Sequence, residues 1–372
     1  MAAVTGTPHR RFPVGAEEDV GALRRAVARL AAGRPGLRAG EAELAATELG
    51  TNLLRHAHPG GYVLFRPAGD GIELISVDHG PGIPPERVPP PPYGSPAPGP
   101  SPVPAPAPAS VPVPGERPPR AGGGLGAGLP AVRRLARDFD CYSTRAGTVV
   151  LARLDRTPRP PPSRWRHGGV NVPYAGESES GDGWAVRPGD GRLEAVVVDG
   201  LGHGPAAAAA ARAALEEFDR QLVTDPAAYL DRAHEAMRAT RGGVLGVCRI
   251  DAEHGALAFA GIGNVTGRVL HGDGSAPLLG RPGTLGTRPA PPGPHVERVP
   301  WEPGATLVLA SDGIRSGWDL AEHRELLRHD PALVAAVLHR DHGRPADDAT
   351  VLIVTEAAPW ERGGPRDPGA AR

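Results

Sequence analysis

The apolar residues of this chain are gathered into short runs and helical stretches, separated by proline- and glycine-rich breaks. Glu17, Glu18 and Asp19 open a helix to about Ala32, their charges set against the positive end of its dipole. A second helix spans about Gly40 to His56 and stops at His58-Pro59-Gly60-Gly61. Strands follow at Tyr62–Arg66 and Ile72–Asp78 across a Gly-Asp-Gly turn, then a helix near Gly128–Arg137 and a strand near Thr148–Arg153. This half predicts helices on one face of a mixed sheet. The second half predicts strands at Gly183–Arg187, Leu193–Val198, Val244–Ile250, Ala256–Ala260, Thr266–Leu270, Thr306–Ala310 and Thr350–Val354. Helices are expected near Pro205–Leu222, Pro226–Arg238, Leu320–Leu327 and Pro331–His339. Turns such as Gly189-Asp190-Gly191 and Gly272-Asp273-Gly274 predict sheet on sheet with helices outside. The fold class is α+β in two domains.

The breaks set the boundaries. A proline- and alanine-rich stretch from about Pro84 to Pro119 has no periodic apolar face and reads as a mobile insertion. The expected units are residues 1–155, a linker over 156–165, a second domain over 166–356 and a disordered tail over 357–372. With 372 residues and a net charge of -1, the chain offers no broad cationic surface for nucleic acid or anionic lipid. Arginine supplies all the positive charge in a chain without lysine, which excludes a lysine-dependent phosphate loop. Two distant cysteines, no signal-peptide pattern and no bilayer-length apolar run point to a cytoplasmic protein.

Candidate chemistry in the second half lies in Ser180-Gly181-Asp182-Gly183-Trp184, Asp199-Gly200-Leu201-Gly202-His203-Gly204, Ser311-Asp312-Gly313 and Asp347-Asp348-Ala349-Thr350. Any one Asp-Gly pair is an ordinary turn. Three of these segments, however, adjoin apolar strand runs, so one core sheet would gather their acids at one edge. Gathered carboxylates repel unless cations neutralise them, and hard oxygen ligands suit Mg²⁺ or Mn²⁺. The set, Asp-Gly-Leu-Gly-His-Gly above all, resembles the metal-dependent phosphatases of the 2C type, specifically the bacterial SpoIIE/RsbX subgroup, over about Gly168 to Thr355. The resemblance implies an αββα sandwich and a protein serine/threonine phosphatase. It implies that Asp199 bridges two metals with the Gly200 carbonyl on one, that Asp182 holds one ion, and that Asp312 and Asp347 hold the other. Asp348 stands behind the ligands, and His203 reads as a turn histidine.

In the first half, Glu48 and Asn52 share one helix face. Asp78-His79-Gly80-Pro81-Gly82-Ile83 ends a strand, and Gly122-Gly123-Gly124-Leu125-Gly126-Ala127-Gly128 runs into a helix start, where backbone amides can meet a phosphate chain. Leu129, Val132, Leu135 and Phe139 then give that helix an apolar face. The constellation resembles the GHKL ATPases, most closely the RsbT/RsbW-type serine kinases, over roughly Val14 to Asp155. The resemblance implies Mg-ATP as cofactor, with Asn52 on its Mg²⁺ and Asp78 on the adenine amino group. Gly80 and Gly82 would shape the base pocket, Gly124, Gly126 and Gly128 would cradle phosphates, and Thr148 would lie beside the adenine. Glu48 would be the base for a substrate serine, and the proline-rich insertion would occupy the lid position. His56 and His58 read as cap and surface residues.

Together these resemblances imply a phosphatase and a switch-kinase-like ATPase in one chain. Such proteins act on a serine of a STAS-domain antagonist, with a sigma factor as further partner, and relatives of the kinase domain often form homodimers. One alternative makes the N-terminal domain a non-catalytic ATP sensor, and another makes the chain a binding module that sequesters a sigma factor or antagonist.

Overall fold

The computed structural model describes residues 2–58, 60–93, 128–158, 163–272, 274–320 and 323–357. In chain order, β1 (Val4–Thr5) and β2 (Arg10–Val14) precede α1 (Glu17–Ala31) and α2 (Glu41–His56). The hairpin of β3 (Gly61–Ala68) and β4 (Gly71–Asp78) follows, then α3 (Gly128–Leu135), β5 (Asp138–Thr144) and β6 (Gly147–Leu154). β2 to β6 form one sheet in the order β2-β3-β4-β6-β5. A mixed sheet was expected here, but every described pairing in it is antiparallel. α1 and α2 pack on one face through Leu23, Val27, Leu49 and Leu53 against Val63, Phe65, Ile72 and Leu74.

The second half begins with β7 (Trp165–Val172), β8 (Asp182–Pro188) and β9 (Arg192–Gly200), followed by α4 (Pro205–Arg220) and α5 (Pro226–Met237). β10 (Gly243–Asp251), β11 (Ala256–Ile262), β12 (Thr266–His271), β13 (Gly274–Leu278), β14 (Glu297–Pro300) and β15 (Thr306–Ala310) lead to α6 (Pro331–His342) and β16 (Ala349–Glu356). They build two sheets, β1-β8-β9-β10-β11-β14 and β13-β12-β15-β16-β7. Between the sheets lies a core of Trp184, Val197, Phe259, Leu307 and Leu352, with α4 and α5 covering the outer face of the first sheet. The inner strands β8, β10, β15 and β16 are buried on both faces, which is why they read as continuous apolar runs, whereas β13 and β14 alternate. Among the described residues no helix is long and apolar enough to cross a membrane.

Three expectations are corrected. The segment Leu320–Leu327 forms no α-helix among its described residues, only a 3-10 turn at Leu326–Arg328. The chain must become extended at His329 so that Asp330 can cap α6 ahead of Pro331. Residues 84–93, assigned to the insertion, divide between the halves: Val88 packs against the first-half core, while the Tyr93 N–H donates to the Arg328 carbonyl at 3.2 Å and the Arg166 guanidinium lies 4.0 Å from the Tyr93 ring. Residues 94–119, the linker core 159–162 and the tail from 358 lie outside the described residues. Finally, Val4–Thr5 pairs with β8 of the second half, although residues 1–155 were expected to form one unit.

The two halves share a broad seam. The sheet face opposite α1 and α2 is covered by α6, whose Ala332, Leu333, Ala335 and Ala336 join one core with Tyr62, Leu64, Ile75, Val77, Val149 and Leu151. Ion pairs cross it: Arg153 holds Glu73 at 2.7 Å and, through two nitrogens, Asp330 at 2.6 and 2.8 Å. His9 is fully buried beside Glu73, and its N–H donates to the Asn171 carbonyl at 2.7 Å. Burial lowers this imidazole to about 4.

Candidate functional site

The register of the first sheet of the second half sets Asp182 directly opposite Asp199 on the β8–β9 ladder, so the two carboxylates share one rung. Asp312 follows β15 and Asp347 precedes β16, and because those strands pair antiparallel (Ala310 opposite Val351), both acids leave the second sheet at the same end. All four expected ligands thus come to one edge of the sandwich. Ser311 joins the sheets there: its hydroxyl donates to Asp182 at 2.6 Å and accepts the Thr350 N–H at 2.9 Å. Asn264 Nδ2 donates to Asp312 at 2.7 Å.

The electrostatics of the cluster are those of a site built for cations. Asp182 and Asp199 hold their protons far above the usual carboxylate range, first because they are buried and then because they face other carboxylates. Asp182 and Asp312 are the carboxylates that add most to the raised value of Asp199. Burial raises Asp347 as well, with Asp312 adding to it. Among the described residues, one group of three has all its ligand atoms within 4.8 Å, the surface set Asp251, Glu253 and His254. Asp251 there is already compensated by Arg192 at 3.2 Å and Arg249 at 3.5 Å. The four aspartates lie farther apart than that set, since no three of them meet the same spacing. They fit divalent metal in charge and donor type.

Asp348 does something different. Its two oxygens accept the N–H groups of Tyr174 at 2.8 Å and Gly181 at 3.0 Å, fastening two loops behind the cluster. Gly313 lies where a Cβ would strike the Asp348 carbonyl, which accounts for glycine after Asp312. Gly200 likewise abuts the Ala207 carbonyl in the first turn of α4, and its N–H donates to Gly181. His203 is exposed, bound to Glu177 at 2.9 Å and stacked on Tyr174, as a turn histidine would be. Ser311 and Asn264 were not singled out as site residues. Ser311 stood beside a named aspartate, whereas Asn264 carried no signal, because its partner is 48 positions away.

In the first half a small pocket is lined by Asn52, Leu53, His56, Asp78, Gly82 and Thr148, among others. Asp78 Oδ1 accepts the N–H groups of Gly80 at 2.8 Å and Thr148 at 3.0 Å, which leaves its other oxygen to the pocket. Gly82 has φ +82° and abuts the Thr144 carbonyl, so the turn admits only glycine there. Ser143 Oγ accepts the Ile83 N–H at 2.7 Å and meets Thr148 Oγ1 at 2.9 Å. Gly128 starts α3 against the two α2 residues: a Cβ would come 2.8 Å from Glu48 Oε2 and 3.2 Å from Asn52 Oδ1. Asn52 Nδ2 and His56 Nε2 are buried without a hydrogen-bond partner, which suits a pocket that awaits a polar ligand. His56, read from sequence as a cap residue, also lines this pocket. Gly124 and Gly126 lie outside the described residues.

Comparison with known proteins bears on both halves. Residues 14–154 match the family described as histidine kinase-like ATPase domain, and residues 189–367 match the family described as Stage II sporulation protein E (SpoIIE). The phosphoserine phosphatase RsbX of Bacillus subtilis (strain 168) is 26% identical over 141 residues, 37% of this chain and 69% of that protein. A chain from a structure of the bacterial stressosome aligns at 29% identity and a TM-score of 0.48, over 51% of this chain and 98% of that one. A crystal structure of RsbX with magnesium aligns at 22% identity and a TM-score of 0.45, over 51% of this chain and 94% of that one. The chain thus joins a histidine kinase-like ATPase domain to a SpoIIE/RsbX-type serine/threonine phosphatase domain.

Proposed function

We propose that the phosphatase domain removes phosphate from a serine or threonine of a STAS-domain antagonist protein in sigma-factor partner switching, using two Mn²⁺ or Mg²⁺ ions. The observation that carries this reading is the convergence of Asp182, Asp199, Asp312 and Asp347, from four separate segments, at one edge of the sandwich. Asp199 would lie between the ions with the Gly200 carbonyl on one, Asp182 would hold one, and Asp312 and Asp347 the other. Bound there, such ions neutralise the cluster and supply a water acidic enough to act as nucleophile near neutral pH. The chain's own part is placement: Ser311 fixes Asp182, Asn264 fixes Asp312, and Asp348 ties down the loops behind them.

The ATPase domain would bind Mg-ATP, with Asn52 toward the Mg²⁺, Asp78 on the adenine amino group, Thr148 beside the base, and Gly80, Gly82 and Gly128 as the close-approach positions. Glu48 would take the proton of a substrate serine if this domain transfers phosphate. A second reading, an ATP sensor without transfer, is favoured by one feature: α6 is packed directly on the ATPase sheet and leads into Asp347. Purified protein with Mn²⁺, ATP and STAS proteins, followed for serine phosphorylation in both directions, separates the readings. Transfer that depends on Glu48 supports the kinase. A phosphatase rate that responds to ATP without transfer supports the sensor. Asp199→Ala should abolish hydrolysis of p-nitrophenyl phosphate and leave ATP binding intact; surviving hydrolysis removes the metal assignment.

A further inference from the structure

A cleft of about 790 Å³ follows the seam between the two domains and ends at Asp347. The ATPase side supplies Arg11, Tyr62 and His79, and the phosphatase side supplies Tyr174 and Arg344. Arg10, Arg11 and Arg344 are all exposed in it, and among the described residues none of the three forms an ion pair. Of the neighbouring charges, Arg340 is paired with Asp341 at 2.7 Å and Glu177 with His203, while the Asp347 carboxylate faces Arg344.

Arg11 is braced through its side chain and Arg344 through its backbone. The Arg11 guanidinium lies 4.2 Å from the Tyr62 ring centroid, and the Tyr62 hydroxyl meets His339 Nδ1 at 3.2 Å. The Arg344 N–H donates to the Gly313 carbonyl at 2.7 Å, which anchors its residue beside Asp312 and three positions before Asp347. An extended chain lying along the seam would meet Arg344 where it reaches the aspartate cluster and Arg11 a few residues away. Exposed guanidinium groups without an ion-pair partner, lining one cleft, select anionic chain.

We propose that this cleft seats the phosphorylated segment of the protein substrate, with Arg344 beside the phosphate and Arg11 paired with an acidic residue flanking it. The proposal rests on the phosphatase reading above. It makes the substrate seat a joint product of both domains, since Arg11 and His79 come from the ATPase side. His79 directly follows Asp78, so the nucleotide pocket and the substrate seat share one turn.

The test uses the full-length protein with Mn²⁺ and two synthetic phosphoserine peptides that differ only in having Asp/Glu or Lys flanks. Wild type should favour the acidic peptide by about tenfold in kcat/KM, mainly through KM, and the preference should shrink with added salt. Arg11→Gln should erase the preference, and Arg11→Glu should turn it toward the Lys-flanked peptide, a reversal that a merely structural role would not produce. Wild type without a preference, or Arg11→Glu and Arg11→Gln variants that keep the acidic one, overturns the docking assignment and leaves the phosphatase reading standing. Failure of wild type to hydrolyse both peptides and p-nitrophenyl phosphate removes the phosphatase reading, and the seat with it.

Discussion

Replacing Asp199 by Asn should make the metal-free protein more stable and should remove most of its response to metal. Asp199 faces Asp182 across the β8–β9 rung, with its proton held far above the usual range by burial first and then by Asp182, Asp312 and Asp347. A carboxyl raised in the folded state carries no penalty below its ordinary value of 3.8 and a growing one as pH rises above it. Each pH unit costs about 1.4 kcal/mol, so the bound at pH 7 is about 4 kcal/mol. Water entry at this partly open edge reduces that to about 2 kcal/mol. Asn keeps the shape and carries no charge, so the metal-free variant should melt about 5 °C higher than wild type. Metal reverses the order: at a hundred times Kd, wild type gains about 2.7 kcal/mol, most of which the variant forgoes. Scanning calorimetry at pH 7 in EDTA and in Mn²⁺ reads both effects. A metal-free variant that melts below wild type, or equal Mn²⁺ stabilisation of the two, refutes the reasoning.

Two further outcomes follow from the seam. Asp330→Ala removes both contacts to Arg153 and the cap on Ala332, and should cost about 3 kcal/mol by thermal unfolding, since Arg153 keeps Glu73. A loss under 1 kcal/mol would show that the pair is not holding the domains together. His9, His167 and His339 are each lowered to about 4, chiefly by burial. Unfolded histidine takes a proton near 6.5, so stability should be intact above that value and decline as pH falls toward 4. Hydrogen exchange in α6 and β7 at pH 7 and pH 5 checks the sign.

The site was more legible than its setting. Asp199, Asp312 and Asp347 stand out because each abuts an apolar strand run, visible in one dimension, and Asp182 joined them through the family resemblance. Their supports were not: Ser311 reaches across the sandwich over 129 positions and Asn264 across the β12–β15 ladder over 48, and a polar residue in a turn has no local mark of such a partner. β5 escaped because Asp138–Thr144 mixes acids with half-buried aromatics at the edge of its sheet. β1 escaped because two residues give no period at all. Gly6, which follows β1, lies against the Trp184 indole where any Cβ would collide, a requirement set by a residue far along the chain.

The seam also gives a physical reason why a nucleotide domain would be fused to this phosphatase. Along β4 alternate residues face opposite ways. Leu74, Ser76 and Asp78 look toward α2 and the nucleotide pocket, while Ile75 and Val77 look toward α6. If the pocket takes a base as proposed, a shift at Asp78 would be a shift at Val77, one residue away on the other face. α6 can pass it on, because its C-terminal end is pinned to the metal edge: Arg315 and Arg344 bond back to His342 and Gly313, and five residues after α6 comes Asp347. The coupling needs no hinge, only a sheet buried on both faces, and packed interiors transmit small displacements instead of absorbing them. ATP added to full-length protein should accordingly change phosphatase turnover, and Val77→Ala, which leaves both sites intact, should blunt that change. An ATP effect of the same size in wild type and Val77→Ala would break this route.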